Sequence, residues 1–400
     1  MMYLLKIQGK SVDNMKNEKR VSVHTVVALV SAAVMITFSL TYFFMSRSYY
    51  KKYKTYELMS EIETLIDTYY YEEPEDMEKL VNMALTGYVS GLGDIYSCYN
   101  NIEESEEAST NHAGLYVGIG ITVTKSAEGY IEIIEIPENS PSLEAGLLVG
   151  DIITAIDGKD VLTVGYEESV QSVKGDENTQ VTITVKRDGI FTDHKVVRKT
   201  FDIVTVHGEM LEEDIGYISI SQFNGKTYEQ FQAKLDELLG LGAKGFVFDV
   251  RNNGGGLVYS VEDCLDPLLP KGEIAVAIYR NGESTTIVES DNNELDIPMT
   301  VLINGGSASG AELFAASLRD FRDAKLVGTT SYGKGVMQDT FTLSDKSTLV
   351  LTVAKYKTTR TDCYHKIGLV PDVECITDSS SVEDEQLNKA LEILKSEIVK

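Results

Sequence analysis

Residues Val21 to Met45 form an unbroken stretch of 25 residues without Asp, Glu, Lys or Arg. No other feature limits the fold so severely, because about 20 mostly apolar residues in a helix suffice to cross the hydrocarbon core of a bilayer. Lys16, Lys19 and Arg20 precede the stretch and Arg47, Lys51, Lys52 and Lys54 follow it. Flanking charge therefore says little about orientation. A cleaved signal peptide has an apolar region of roughly 7–15 residues that ends in small residues. This stretch is longer and ends in Tyr42-Phe43-Phe44-Met45. An uncleaved transmembrane signal anchor is expected over 21–45, with residues 1–20 as a cytoplasmic tail and the chain beyond residue 46 outside the cytoplasm.

The net charge of −26 conceals an asymmetry: residues 1–54 carry nine Lys/Arg against two Asp/Glu, a net of +7, which leaves −33 for the rest. So acidic a body excludes nucleic acid as the expected partner. Hydrophobic content of 43% and charged content of 24% mark a globular chain, and 400 residues imply two or three domains. Cys98, Cys264, Cys363 and Cys375 show no CxxC and no zinc spacing, so they read as small buried or free thiols. No metal and no cofactor is expected.

Apolar residues recur at helical spacing over 49–90 (Leu58, Ile62, Leu65 and Ile66, then Leu80, Met83, Ala84 and Leu85), with a break at Pro74. Residues 46–111 are read as an N-terminal helical region that must pack on the body or on another subunit. Glu103 to His112 reads as a polar linker. Strands then dominate: Val117 to Val123, Tyr130 to Ile136, Gly150 to a turn at Asp157-Gly158, and Val181 to Val185. Pro137 to Pro141 reads as a turn, and short helices are expected over Ser142–Leu147 and Glu167–Val173. From about residue 200 strands alternate with helices, which implies an α/β sheet. The strands are Gly216–Ser221, Gly245–Val250 and Met299–Ile303, and the helices are Thr227–Leu239 and Ala311–Phe321. Glu383 to Ile398 reads as a surface or interface helix.

Two glycine-punctuated loops carry the chemistry. Ser309 lies in Asn304-Gly-Gly-Ser-Ala-Ser309-Gly-Ala-Glu312, where a strand runs into a helix, and Lys334 lies in Thr330-Ser-Tyr-Gly-Lys334-Gly-Val-Met-Gln338. Taken alone, Ser309-Gly-Ala-Glu312 is a helix capping box, and Lys334 is a turn lysine. Taken together they supply a hydroxyl at the positive end of a helix dipole and an amine that can become its base if burial lowers the amine's pKa. The fall required, from ~10.4 to ~7–8, is on the order of 4 kcal/mol. Gln338 stands four residues beyond Lys334 and can support the amine only if the chain between them turns. The Gly310 N–H and the Gly255 N–H of Arg251-Asn-Asn-Gly-Gly-Gly256 are the candidate oxyanion donors. The Arg251–Gly256 loop and the Ser309 loop follow strand carboxyl ends, at Val250 and Ile303, where open α/β sheets form their sites. No G-x-S-x-G, no HExxH and no histidine close to a serine signal competes. Ser331-Tyr-Gly-Lys334 matches S-x-x-K, but the accompanying K-T-G and S-D-N elements are missing.

On Gly305-Gly-Ser-Ala-Ser309-x-x-Glu312, Gly328-x-x-x-Tyr-Gly-Lys334-Gly-x-x-Gln338 and Asp249-x-Arg251-Asn-Asn-x-Gly-Gly256, the chain resembles the carboxyl-terminal processing (tail-specific) peptidases from about residue 55 to 375, sporulation-type bacterial members included. Residues 112–190 resemble their PDZ domain through Gly118-Ile-Gly120, Pro141 to Gly146 and Gly150-Asp-Ile-Ile. The chain departs from the family pattern at Gly254, Gly310-Ala311 and Tyr332, none of which removes a catalytic group. The resemblance implies an α/β fold with a crotonase-like protease core over 191–376, an inserted β-rich PDZ domain and a C-terminal helix over 377–400. It implies a serine endopeptidase with Ser309 as nucleophile, Lys334 as base and Gln338 supporting the lysine. Protein substrates would present their C-termini to backbone N–H groups of Tyr116, Val117, Gly118, Ile119 and Gly120, the PDZ domain would gate the protease, and the terminal helices would build a homodimer. An inactive PDZ scaffold and a crotonase-type acyl-CoA enzyme are the competing classes. The second explains neither the anchor, the PDZ domain nor the lysine.

Overall fold

The computed structural model describes residues 22–72, 76–137, 140–291, 294–376 and 383–398, without the side chains of 46–52. The expected tail and the break at Pro74 lie outside the described residues, as does the middle of the turn before Pro141. Two units are distinguished, residues 1–80 and 81–400. In the first, α1 (Val23–Tyr69) is one helix of 47 residues, so no boundary separates the apolar stretch from the helical region after it. Its segment Val23–Met45 has a mean hydropathy of 2.1 and is exposed throughout. α2 (Met77–Ser90) follows.

Beyond α2, β1 (Cys98–Asn100) leads into α3 (Ile102–His112). The expected linker is thus a helix. Asn101 and Glu104 close a reciprocal capping box, which offsets the weak apolar content of the segment. Ser105 Oγ lies 2.9 Å from Thr348 Oγ1 and ties α3 to the protease body.

The inserted domain comprises β2 (Leu115–Gly118), β3 (Thr122–Lys125), β4 (Ile131–Glu135), α4 (Pro141–Glu144), β5 (Ile152–Ile156), β6 (Lys159–Asp160), α5 (Val161–Val164), α6 (Tyr166–Val173), β7 (Gln180–Arg187), β8 (Ile190–Val197) and β9 (Lys199–Asp202). Strands β3-β4-β5-β7-β8 form one antiparallel sheet, with β6 on β5, while β2 pairs with β9. The single strand expected over Val117–Val123 is therefore two. The chain turns at Gly120, whose φ is +70° and where a Cβ would lie 2.6 Å from that of Ser140. Ser142 donates its backbone N–H and its hydroxyl to Ile119 O across that turn. Because β8 pairs with β7 along its length, the domain continues past the boundary expected at residue 190, through β9.

The core continues with β10 (Val206–Leu211), β11 (Ile215–Ile220), α7 (Thr227–Gly240), β12 (Gly245–Asp249), α8 (Val258–Leu265), β13 (Gly272–Tyr279), β14 (Ser284–Ser290), β15 (Met299–Ile303), α9 (Gly310–Arg322), β16 (Lys325–Gly328), β17 (Val336–Thr342), β18 (Thr348–Thr358), β19 (Val373–Glu374) and α10 (Glu385–Ile398). One sheet runs β10-β11-β12-β15-β16-β19, parallel except for β10. Alternation divides its side chains. Phe246, Phe248, Val301 and Ile303 join Phe231, Leu235, Val261 and Phe314 of α7, α8 and α9. Val247, Leu302 and Val327 face the other way, onto Ala390 and Leu394. The C-terminal helix is thus the cover of one sheet face, built into its own chain.

A second, antiparallel sheet of β1, β18, β13, β14 and β17 had no counterpart in the sequence reading. Its Ile274, Ala275 and Tyr356 share the core of the first sheet's helices. α9 therefore lies between two sheets and is buried from Gly310 to Leu318. The rings of Phe223, Phe231, Phe248 and Phe314 meet there at 5.7–6.4 Å between centroids.

Candidate active site

β15 delivers the chain to a loop that Ser307 fixes by donating its hydroxyl to Val250 O at 2.7 Å. Ser309 caps α9 with φ 54° and ψ −115°, a conformation that an L-residue adopts only when its surroundings impose it. The Glu312 half of the capping box forms, with Ser309 N–H donating to Oε2 at 2.9 Å. That carboxylate is fully buried. It also accepts from Lys334 N–H at 2.8 Å, from Gly333 N–H at 2.7 Å and from the Ser331 hydroxyl. One side chain thereby anchors both expected catalytic loops.

The glycine loop is set by Asn253, which is fully buried. Its Nδ2 donates to Ile220 O at 2.8 Å, and its backbone carbonyl accepts from Ala308 N–H at 2.9 Å. Its Oδ1 accepts from Gly255 N–H at 2.8 Å. The Gly255 N–H is therefore already used, and the expectation that it binds an oxyanion does not fit this geometry. The neighbouring Gly256 nitrogen lies 3.3 Å from where a Cβ on Gly310 would stand, so the amides of Gly256 and Gly310 border the same space.

Ser309, Gly310, Lys334 and Gln338 line one cleft of 1050 Å³ together with the loop Gly254–Gly256. Burial pulls the Lys334 amine below the ordinary lysine value, and the carboxylates of Asp94 and Glu312 oppose that shift. Its Nζ stands 4.8 Å from the centroid of the Tyr96 ring. Among the described residues no hydrogen bond joins it to Ser309 or Gln338. A bulge between Met337 and Gln338 supplies part of the turn that the Lys334–Gln338 spacing demanded, but the Gln338 amide donates to Thr352 Oγ1 at 3.0 Å. Tyr356, its phenol pushed well up by burial, donates to Lys334 O at 2.7 Å and lies beside the Ser309 hydroxyl.

Sequence reasoning missed Asp94, Tyr96, Thr352, Tyr356 and His365. They come from segments far apart in the chain, and no local pattern marks them. Of the expected carboxylate-binding residues, Tyr116, Val117 and Gly118 are in the ladder with β9, which leaves Ile119 and Gly120 in the turn outside any strand. None of the five lines the Ser309 cleft.

Residues 214–375 match the model of peptidase family S41, and residues 117–196 match that of a PDZ domain. The carboxy-terminal processing protease CtpA of Bacillus subtilis is 33% identical over 307 residues, covering 76% of this chain and 66% of that protein. A carboxy-terminal-processing protease of Bartonella bacilliformis is 33% identical over 329 residues, covering 80% of this chain and 75% of that protein. The aligned parts thus span 66% and 75% of these relatives' own lengths. A crystal structure from Bacteroides fragilis assigned to the S41 proteases superposes with a TM-score of 0.52 at 17% identity, covering 84% of this chain and 96% of that one, which speaks to the fold alone. The chain belongs to peptidase family S41, the serine-type carboxy-terminal processing proteases, and carries a PDZ domain ahead of its α/β protease core.

Proposed function

We propose that this chain is a membrane-anchored serine endopeptidase working through a Ser309/Lys334 dyad. The neutral Lys334 amine takes the Ser309 hydroxyl proton as Oγ attacks the scissile carbonyl carbon. The tetrahedral oxyanion is met by the N–H groups of Gly310 and Gly256. Collapse breaks the C–N bond, and the Lys334 ammonium returns its proton to the leaving amine. Water then attacks the ester, again deprotonated by Lys334, and frees Ser309 with a carboxylate product. Gln338 joins the amine once substrate draws its amide from Thr352.

The observation that carries this reading is the buried Glu312 carboxylate, which binds the backbones of Ser309 and Lys334 together at the mouth of one cleft. Substrates are proteins with exposed C-termini captured at the turn around Ile119 and Gly120. Val23–Met45 anchors the enzyme with its catalytic body outside the cytoplasm, and the exposed apolar residues of the N-terminal helices favour a homodimer. A fluorophosphonate probe tests the dyad. Wild type labels, and Ser309→Ala and Lys334→Ala do not. Equal labelling of Lys334→Ala would remove the lysine from the mechanism, and no labelling of wild type, with or without a C-terminal peptide bound, would favour a PDZ scaffold.

A further inference from the structure

We propose that Tyr96 is a positioning residue for the base: its ring face is the resting place of the protonated Lys334 amine, from which loss of the proton releases that amine toward Ser309. The inference rests on the reading of Lys334 as base. The Nζ–centroid separation of 4.8 Å is that of a cation–π pair, and both residues line the cleft with Ser309. A ring face attracts an ammonium and not a neutral amine, so the contact discriminates between the two forms that the reaction needs in turn.

Tyr96 is itself held from two sides. Its N–H donates to Asp94 Oδ1 at 3.2 Å, Asp94 Oδ2 accepts from Ser97 Oγ at 2.6 Å, and Ser97 Oγ accepts from Thr352 N–H at 3.0 Å. This chain ties the loop to β18. On the other side the His365 ring lies 6.4 Å away between centroids, and Tyr332 borders the same hollow as Tyr96. Burial and the nearby Tyr332 push the Tyr96 phenol up to about 12, so it stays neutral while the amine titrates.

The charged groups facing the amine are the carboxylates of Asp94 and Glu312, and neither forms an ion pair with it. Tyr356 reaches only its backbone carbonyl. Lys355 and Lys366 act on His365, whose imidazole burial already holds below its usual value. With Gln338 bonded to Thr352, the Tyr96 ring is the close contact found for the Lys334 head group among the described residues.

The test is the second-order rate of fluorophosphonate inactivation of the full chain in detergent, measured against pH. The acid limb reports the proton that Lys334 must lose. Tyr96→Leu is expected to move that limb down by on the order of 0.5–1.5 pH units, Tyr96→Phe to leave it in place, and Tyr96→Trp to move it up. A limb unmoved in both Leu and Trp variants overturns the proposal, as does a Phe variant that shifts like Leu, which would put the role in the hydroxyl. Should the Leu variant fail to fold, the Phe and Trp variants decide by the same criterion. Inactivation of Lys334→Met at the wild-type rate would instead sink the base assignment itself. Loss of inactivation in Lys334→Met, with the limb fixed in every Tyr96 variant, sinks this inference alone.

Discussion

The backbone N–H groups of Ser309 and Lys334 meet on one atom, Oε2 of Glu312, at 2.9 and 2.8 Å. A capping box ordinarily ends one helix. Here the same carboxylate also fixes the loop of Lys334, so the proposed nucleophile and base share a backbone reference point.

Replacing that carboxylate tests the arrangement. In Glu312→Gln an amide group would face two of the four donors that now converge on the site. An unmet buried donor costs about 1–3 kcal/mol, so with two such donors the variant should lose roughly 2–6 kcal/mol of stability. Denaturant unfolding would measure the loss, and probe labelling should fall with it even where the variant is fully folded. Wild-type labelling in a destabilised variant would confine Glu312 to a structural role.

Lys334→Arg should be inactive despite keeping the charge, because a guanidinium does not surrender its proton. General bases contribute about 10²–10⁴-fold, and a loss of that order in kcat/KM is expected. In wild type the amine lies below the ordinary lysine value. Activity therefore rises with pH through that lowered value and levels off short of pH ~10.4. A profile that climbs without a plateau up to that pH would show that burial does not prepare the amine.

At Gly256 the backbone has φ +142°, and a Cβ would stand 1.9 Å from Phe223 O. Gly256→Ala must displace the loop that borders Gly310. Strain of about 1–3 kcal/mol is expected in the melting profile, with proteolysis reduced far more than stability. Casein hydrolysis unchanged in the variant would exclude the Gly256 amide as an oxyanion donor.

Arg251 links the glycine loop to the C-terminal helix. Its guanidinium donates to Asp384 at 2.9 and 2.7 Å and also holds buried Asp249, which Tyr217 meets at 2.8 Å. Arg251→Met would leave Asp249 without its cation, at a cost of about 3–5 kcal/mol. Limited proteolysis should then release α10 first. The Arg251 hydrogen bond holds the Asp384 carboxyl below its usual value. That contribution is fully present above the ordinary Asp value of ~3.9 and is lost as pH falls through the lower folded value. Protease resistance of α10 should follow the same course, and resistance that persists at still lower pH would place its anchorage in Ala390 and Leu394 instead.

Three strands of the mainly parallel sheet, β11, β12 and β15, were legible because they are short, buried, apolar segments next to glycine, as at Gly245–Asp249 and Met299–Ile303, while β10, β16 and β19 were not. The antiparallel strands β13, β14, β17 and β18 were not. They are mixed in polarity, with partly exposed faces, so Thr348–Thr358 carries no clean alternation and its partners lie across the chain. Glu103–His112 was misread because its helix rests on a capping box and on Thr348, not on an apolar stripe.

Ser309, Lys334, Gln338 and the glycine loop stand out in the sequence because local chemistry restricts them. A helix cap, a positive-φ turn and a close backbone approach each admit few residue types. What occupies the Gly255 amide, what stands beside the Lys334 amine and what covers the sheet were decided only by the tertiary structure. Asn253 occupies the Gly255 N–H, Tyr96 meets Lys334 across more than two hundred residues of chain, and α10 closes the face of Val247 and Leu302. Such contacts depend on packing between distant segments, and distance along a chain carries no trace of it.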